Sequence, residues 1–176
     1  MHLHSRNKND LPEASGSAGV GLLDALPTVR GERAARGWPW LAARLLGALA
    51  LLATGAVHLQ QFDRFYSEIP TIGTLFVLNF AGATALALGL LAPLERLFGR
   101  RGSVLLALLA LAGIALATTA FAFLLISEHT PLFGFKEPGY DPPAIAAARG
   151  SEVAVVVFLG VFLTGRFWLK AATPRW

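Results

Sequence analysis

At 176 residues the chain is about one domain long, 55% of it is hydrophobic and only 15% is charged. Soluble domains carry roughly 25% charged residues, so water is not the main solvent of this surface. The absence of cysteine excludes disulfides, thiolate metal sites and thiol chemistry. The net charge of +4 shows no basic stripe interleaved with aromatics, which argues against a nucleic-acid partner and for membrane topology as the source of the basic balance.

Residues 1–37 are polar and broken by Pro12, Pro27 and several glycines. They carry too little apolar surface to offset ordering entropy and predict a disordered tail, with at most a turn of interfacial helix over 20–26. Four apolar runs follow, at about 39–60, 71–92, 103–127 and 142–168. Each exceeds the ~20 residues needed to cross ~30 Å of hydrocarbon. Proline opens the first run at Pro39, Ser103 is a candidate cap for the third, and Asp141 caps the fourth ahead of Pro142 and Pro143. The predicted fold is all-α, a transmembrane four-helix bundle.

Orientation follows from the cations. With the N-terminus inside, twelve of the fifteen Lys and Arg residues fall on the cytoplasmic side, and only Arg64, Lys136 and Arg149 fall outside. The positive-inside rule then puts both termini in the cytoplasm (N-in/C-in), with the outer loops after the first and third spans. A competing reading takes the basic stretch from Arg30 to Arg44, the apolar run after it and Thr54-Gly55-Ala56 as a cleaved signal peptide. The apolar run continues past the small residues through Val57 and Leu59, which favours a span. Small residues at Ala81, Ala85 and Gly89, and again at Gly113 and Ala117, suggest close helix packing in lipid.

Six of the eleven acids lie on the predicted outer side: Asp63, Glu68, Glu128, Glu137, Asp141 and Glu152. Glu152 lies roughly 12–15 Å below the outer end of its span at 1.5 Å per residue. Asn79, Thr54 and the pair Thr118 and Thr119 fall at similar depth in the other three spans. A carboxylate there costs about 2.5–3.5 kcal/mol on insertion scales and so faces a partner inside the bundle. Three readings stand: an intrahelical salt bridge to Arg149, three residues earlier on the same face; a proton- or cation-responsive pocket; and a catalytic carboxylate.

Above that layer, His58, His129 and Glu128 could bind a transition metal, and the two histidines could ligate haem. No pair has helical metal-ligand spacing, and interfacial histidines also simply bond loop carbonyls. Phe62, Phe65 and Tyr66 read as belt aromatics. Phe133, Phe135 and Tyr140, set among prolines and glycines, predict an ordered loop over the bundle mouth, where a lipid or quinone pocket could lie. No P-loop, nucleophile elbow, zincin or dinucleotide motif occurs, so no catalytic residue and no cofactor is assigned.

The segments His58-Leu59, Ile69-Pro70-Thr71-Ile72-Gly73 and Gly134-Phe135-Lys136-Glu137-Pro138-Gly139-Tyr140 resemble those of small four-span actinobacterial integral membrane proteins without assigned function. The resemblance covers roughly residues 41–168 and implies no catalytic residues. Similarity to DoxX-type proteins is in span count only. The resulting expectation is a non-enzymatic accessory or sensing subunit of a bacterial inner membrane, with lipid, other membrane subunits or a second copy as partners. An intramembrane redox component holding haem or quinone, and a proton- or cation-coupled transporter subunit, are the alternatives.

Overall fold

The computed structural model describes the backbone of residues 20–171 and the side chains of residues 38–166. The tail predicted over 1–37 therefore lies outside the residues whose side chains are described. Five helices follow in order: α1 Val20–Gln61, α2 Pro70–Leu91, the short α3 Leu94–Phe98, α4 Arg100–His129 and α5 Pro142–Ala171. Among the described residues there is no strand, only an isolated bridge between Leu132 and Phe135. The bundle is the compact unit Pro39–Trp176.

Four stretches are long and apolar enough to cross a bilayer: Trp38–Tyr66, Pro70–Leu91, Arg100–His129 and Pro142–Arg166. They match the four predicted spans, and the protein is an integral membrane protein with a four-helix transmembrane bundle. The first span exceeds its predicted end because α1 runs into a π-helical turn, Phe62–Tyr66, where a loop was expected. That turn hydrogen-bonds its own carbonyls, Ser67 N–H to Phe62 O at 3.0 Å, and so continues the helix instead of breaking it. Pro70 at the first turn of α2 needs no amide partner there.

Small residues fill much of the centre beside the fully buried Leu51, Leu90, Leu106 and Leu159, and large ones cover the outside. Ala48, Ala83, Ala87, Ala110 and Ala117 are buried, while Leu49, Leu78, Leu88, Leu108, Leu111, Val153 and Val157 are more than half exposed. Lipid tails are as apolar as leucine, so large side chains gain nothing by turning inward and small ones let backbones approach. Gly113 and Ala117 are buried on α4, as expected from their spacing. The small-residue ladder on α2 is different. Ala81 and Ala85 are exposed, and the buried ladder is Asn79, Ala83 and Ala87.

The fit is tight at six glycines, Gly47, Gly73, Gly89, Gly102, Gly113 and Gly165. A side chain at Gly47 or Gly113 would meet Leu159, and one at Gly165 would overlap the Trp40 ring. At the end of the bundle carrying α3, Arg166 donates to Glu95 at 2.9 Å and to Ser103, and lies over the Phe162 ring. This end is pinned by ion pairing. The opposite end, where the 62–69 and 130–141 connections meet, holds the site.

Candidate functional site

Helical spacing builds the inner wall. On α1, Thr54, His58 and Gln61 fall on one face at intervals of four and three; on α5, Ala144, Ala148 and Glu152 repeat every four. Asn79 comes from α2 beside Phe76, and α4 contributes Thr119 and Phe123. Together with the loop residues Phe135 and Glu137, these groups surround a cavity of about 230 Å³. His58, Asn79, Thr119 and Glu152 all line it. Thr54 stands next to it, buried, donating to Ser151 Oγ at 2.9 Å or to Ala50 O at 3.0 Å.

Glu152 is 1% exposed and its Oε2 has no hydrogen-bond partner; Asn79 is 8% exposed and its Oδ1 has none either. The nearest base, His58, places Nε2 3.9 Å from Glu152 Oε1. Its Nδ1 lies 2.8 Å from the Thr54 carbonyl, which can only accept, so Nδ1 carries the proton of that bond. In a neutral ring Nε2 is then a second acceptor facing the carboxylate. The buried atoms of the wall that lack a partner are therefore acceptors.

The loops close the end of the cavity. Tyr66, 4% exposed, donates its hydroxyl to Glu137 Oε2. Glu137 Oε1 accepts the Gly139 amide at 2.8 Å, and its own amide donates to Ser127 O at 2.9 Å. Gln61 donates to Asp141 Oδ2 at 3.0 Å, and Asp141 Oδ1 caps α5 through the Ala144 amide, as its position before the prolines predicted. Tyr66 stacks on Phe76 at 4.6 Å and meets Phe135 edge-on, and Phe65 stacks on Tyr140. The positive φ of Gly134 and Gly139 turns the chain back over the mouth. The ordered loop over the bundle is thus present, and two aromatics read as belt residues, Tyr66 and Phe65, are its fasteners.

Several predicted site residues fall elsewhere. Arg149 does not pair with Glu152. It donates to both oxygens of Glu128 at 2.5 Å, where α4 ends near the bundle surface. Three-residue spacing permits the intrahelical pair, but the guanidinium reaches outward to a half-exposed carboxylate rather than into the bundle. Neither Arg149 nor Glu128 lines the cavity. Thr118 is exposed and turned away from it; one position on, Thr119 has the face that lines it. His129 is exposed, its Nδ1 bonding Leu125 O at 2.9 Å. His58, His129 and Glu128 are therefore not brought together, and among the described residues no three His, Asp or Glu side chains converge as metal ligands.

Gln61, Tyr66, Glu137 and Ser151 were not singled out from sequence as site residues. The available signal was Glu137 itself, an acid flanked by glycine and proline in a loop already rich in aromatics. The chain matches no protein-family model, no curated protein and no solved structure, so the site is read from its own chemistry.

Proposed function

We propose that the protein is a non-enzymatic accessory or sensing subunit of a bacterial inner membrane that responds to a small ligand held in the cavity beneath its two outer loops. One observation carries this reading: a carboxylate, Glu152, buried in the wall of a cavity with an oxygen left unpartnered. Burying such a group without a partner is costly, and a purely structural bundle would have replaced it with an apolar side chain. The absence of catalytic sequence motifs fits a binding role. The cation count supports both termini in the cytoplasm and the cavity on the outer side. Kinship with small four-span actinobacterial membrane proteins belongs to the same proposal.

Two measurements test it. Reporter fusions placed in the 94–102 and 130–141 segments should report cytoplasmic and external locations respectively; the reverse pattern removes the orientation. A thermal-shift screen of membrane-soluble small molecules on the purified protein should give hits that Glu152→Gln abolishes. A set of hits none of which Glu152→Gln weakens would remove this carboxylate as the responsive element.

A further inference from the structure

We infer that the cavity takes a lipophilic organic ammonium ion, one aromatic ring in size, which enters from the bilayer between α2 and α4. The inference rests on the cavity being a ligand site and specifies what fills it.

Charge comes first. Two carboxylates line the cavity, Glu152 and Glu137, and among the described residues no lysine or arginine does. The nearby arginines are engaged elsewhere, Arg149 with Glu128 and Arg64 with Asp141 at 3.7 Å. His58 is the remaining basic group on the wall, and its bonded Nδ1 leaves Nε2 as an acceptor when the ring is neutral. Hydrogen bonding points the same way. The unpartnered buried atoms of the wall, Asn79 Oδ1 and Glu152 Oε2, both accept from a donor. A ligand with N–H groups and positive charge supplies what each lacks.

The remaining wall is apolar and aromatic. Phe76, Phe123, Phe135 and Tyr66 line it, and ring faces attract cations, most strongly where water is excluded. The volume of about 230 Å³ exceeds the ~150 Å³ of an engineered cavity that holds benzene. It therefore has room for one ring and a short aminoalkyl arm.

The route follows from exposure. Among the described lining residues, Leu78 and Thr119 alone are exposed, Leu78 at 60%. They lie on α2 and α4, which pack against each other, at the depth of Asn79. The loop end is fastened by Tyr66, Glu137 and Asp141, so the opening faces the lipid side of the bundle and not its end.

The full chain in nanodiscs, with empty nanodiscs as the partition control, decides between this ligand class and others. The probes are phenethylammonium chloride and its neutral near-isostere phenethyl alcohol, followed by isothermal titration calorimetry. The ammonium is expected to bind at least tenfold more tightly than the alcohol to the wild type. Glu152→Gln should erase that ratio while alcohol binding persists, and Thr119→Trp should slow ammonium association at least tenfold. Equal or tighter binding of the alcohol overturns the cation assignment and leaves the cavity reading standing. Binding of neither probe overturns both. An unchanged association rate in Thr119→Trp overturns the route. The wild-type ratio needs no variant, so the assignment is decided even where Glu152→Gln does not fold.

Discussion

Replacing Tyr66 by phenylalanine removes one oxygen and nothing else from the fastening of the 130–141 loop. The ring keeps its stack on Phe76 at 4.6 Å and its edge contact with Phe135 at 5.6 Å. What is lost is a hydrogen bond to a carboxylate between two side chains that are 4% and 9% exposed. Bonds to charged groups contribute about 1.5–3 kcal/mol. Glu137 keeps the Gly139 amide at 2.8 Å, so the carboxylate is not stranded and the cost stays within that range. At 1.36 kcal/mol per tenfold, the opening equilibrium of the loop should rise about 10–150-fold. Hydrogen exchange at the Glu137 amide, held by Ser127 O in the closed loop, reads that equilibrium directly. A cycle with Glu137→Gln isolates the pair from other effects of each change. A coupling below about 0.5 kcal/mol, within the scatter of independent sites, would refute the view that this bond fastens the loop.

Other expectations follow from the packing and the ion pairs. Gly113→Val drives a side chain into Leu159 and Leu51 and should destabilise the bundle by about 1–3 kcal/mol, whereas Ala81→Val, on the exposed face, should stay within about 0.5 kcal/mol; denaturant titration of both in mixed micelles checks the contrast. Arg149→Ala and Glu128→Ala should each cost under about 1 kcal/mol, with a coupling that shrinks in high salt, because the pair is 37% and 24% exposed; a salt-independent coupling of several kcal/mol in thermal melts contradicts this. Thr54→Val breaks the bridge to Ser151 and should cost about 0.6 kcal/mol, at most about 1.7, in the same unfolding assay.

Much of the architecture was legible because lipid imposes a simple rule on length and polarity. The four spans, the Asp141 cap and the buried polar layer of Thr54, Asn79 and Glu152 all follow from spacing and depth. Helix phase is harder to read where composition is uniform. Alanine stands at 81, 83, 85 and 87 on α2, so two ladders offset by about 200° fit the same sequence. Asn79 carries the missing information, since counting by fours from it reaches Ala83 and Ala87, the pair that is buried. The same limit explains Thr118 against Thr119. Arg149 illustrates a different gap: its partner is chosen by how α4 and α5 are rotated about each other, which no spacing within α5 encodes. The fasteners Tyr66 and Glu137 are 71 residues apart and meet only because the π-helical turn prolongs α1.

The helices are unequal in length, and this ties the cavity to the thickness of its bilayer. α2 has 22 residues and α4 has 30, about 33 Å and 45 Å at 1.5 Å per residue. A hydrocarbon core of ~30 Å is just spanned by α2, whereas α4 has length to spare and accommodates a thicker bilayer by tilting less. Thickening the bilayer therefore strains α2 first. Its first turn is where Gly73 packs against the Tyr66 carbonyl, so the stretched end is the one holding the loop fastener. Hydrophobic mismatch should thus reach the cavity mouth before any other part of the bundle. In nanodiscs of increasing acyl length, exchange at the Glu137 amide should quicken ahead of exchange at the α3 end; uniform exchange across the series would show that thickness does not act through α2.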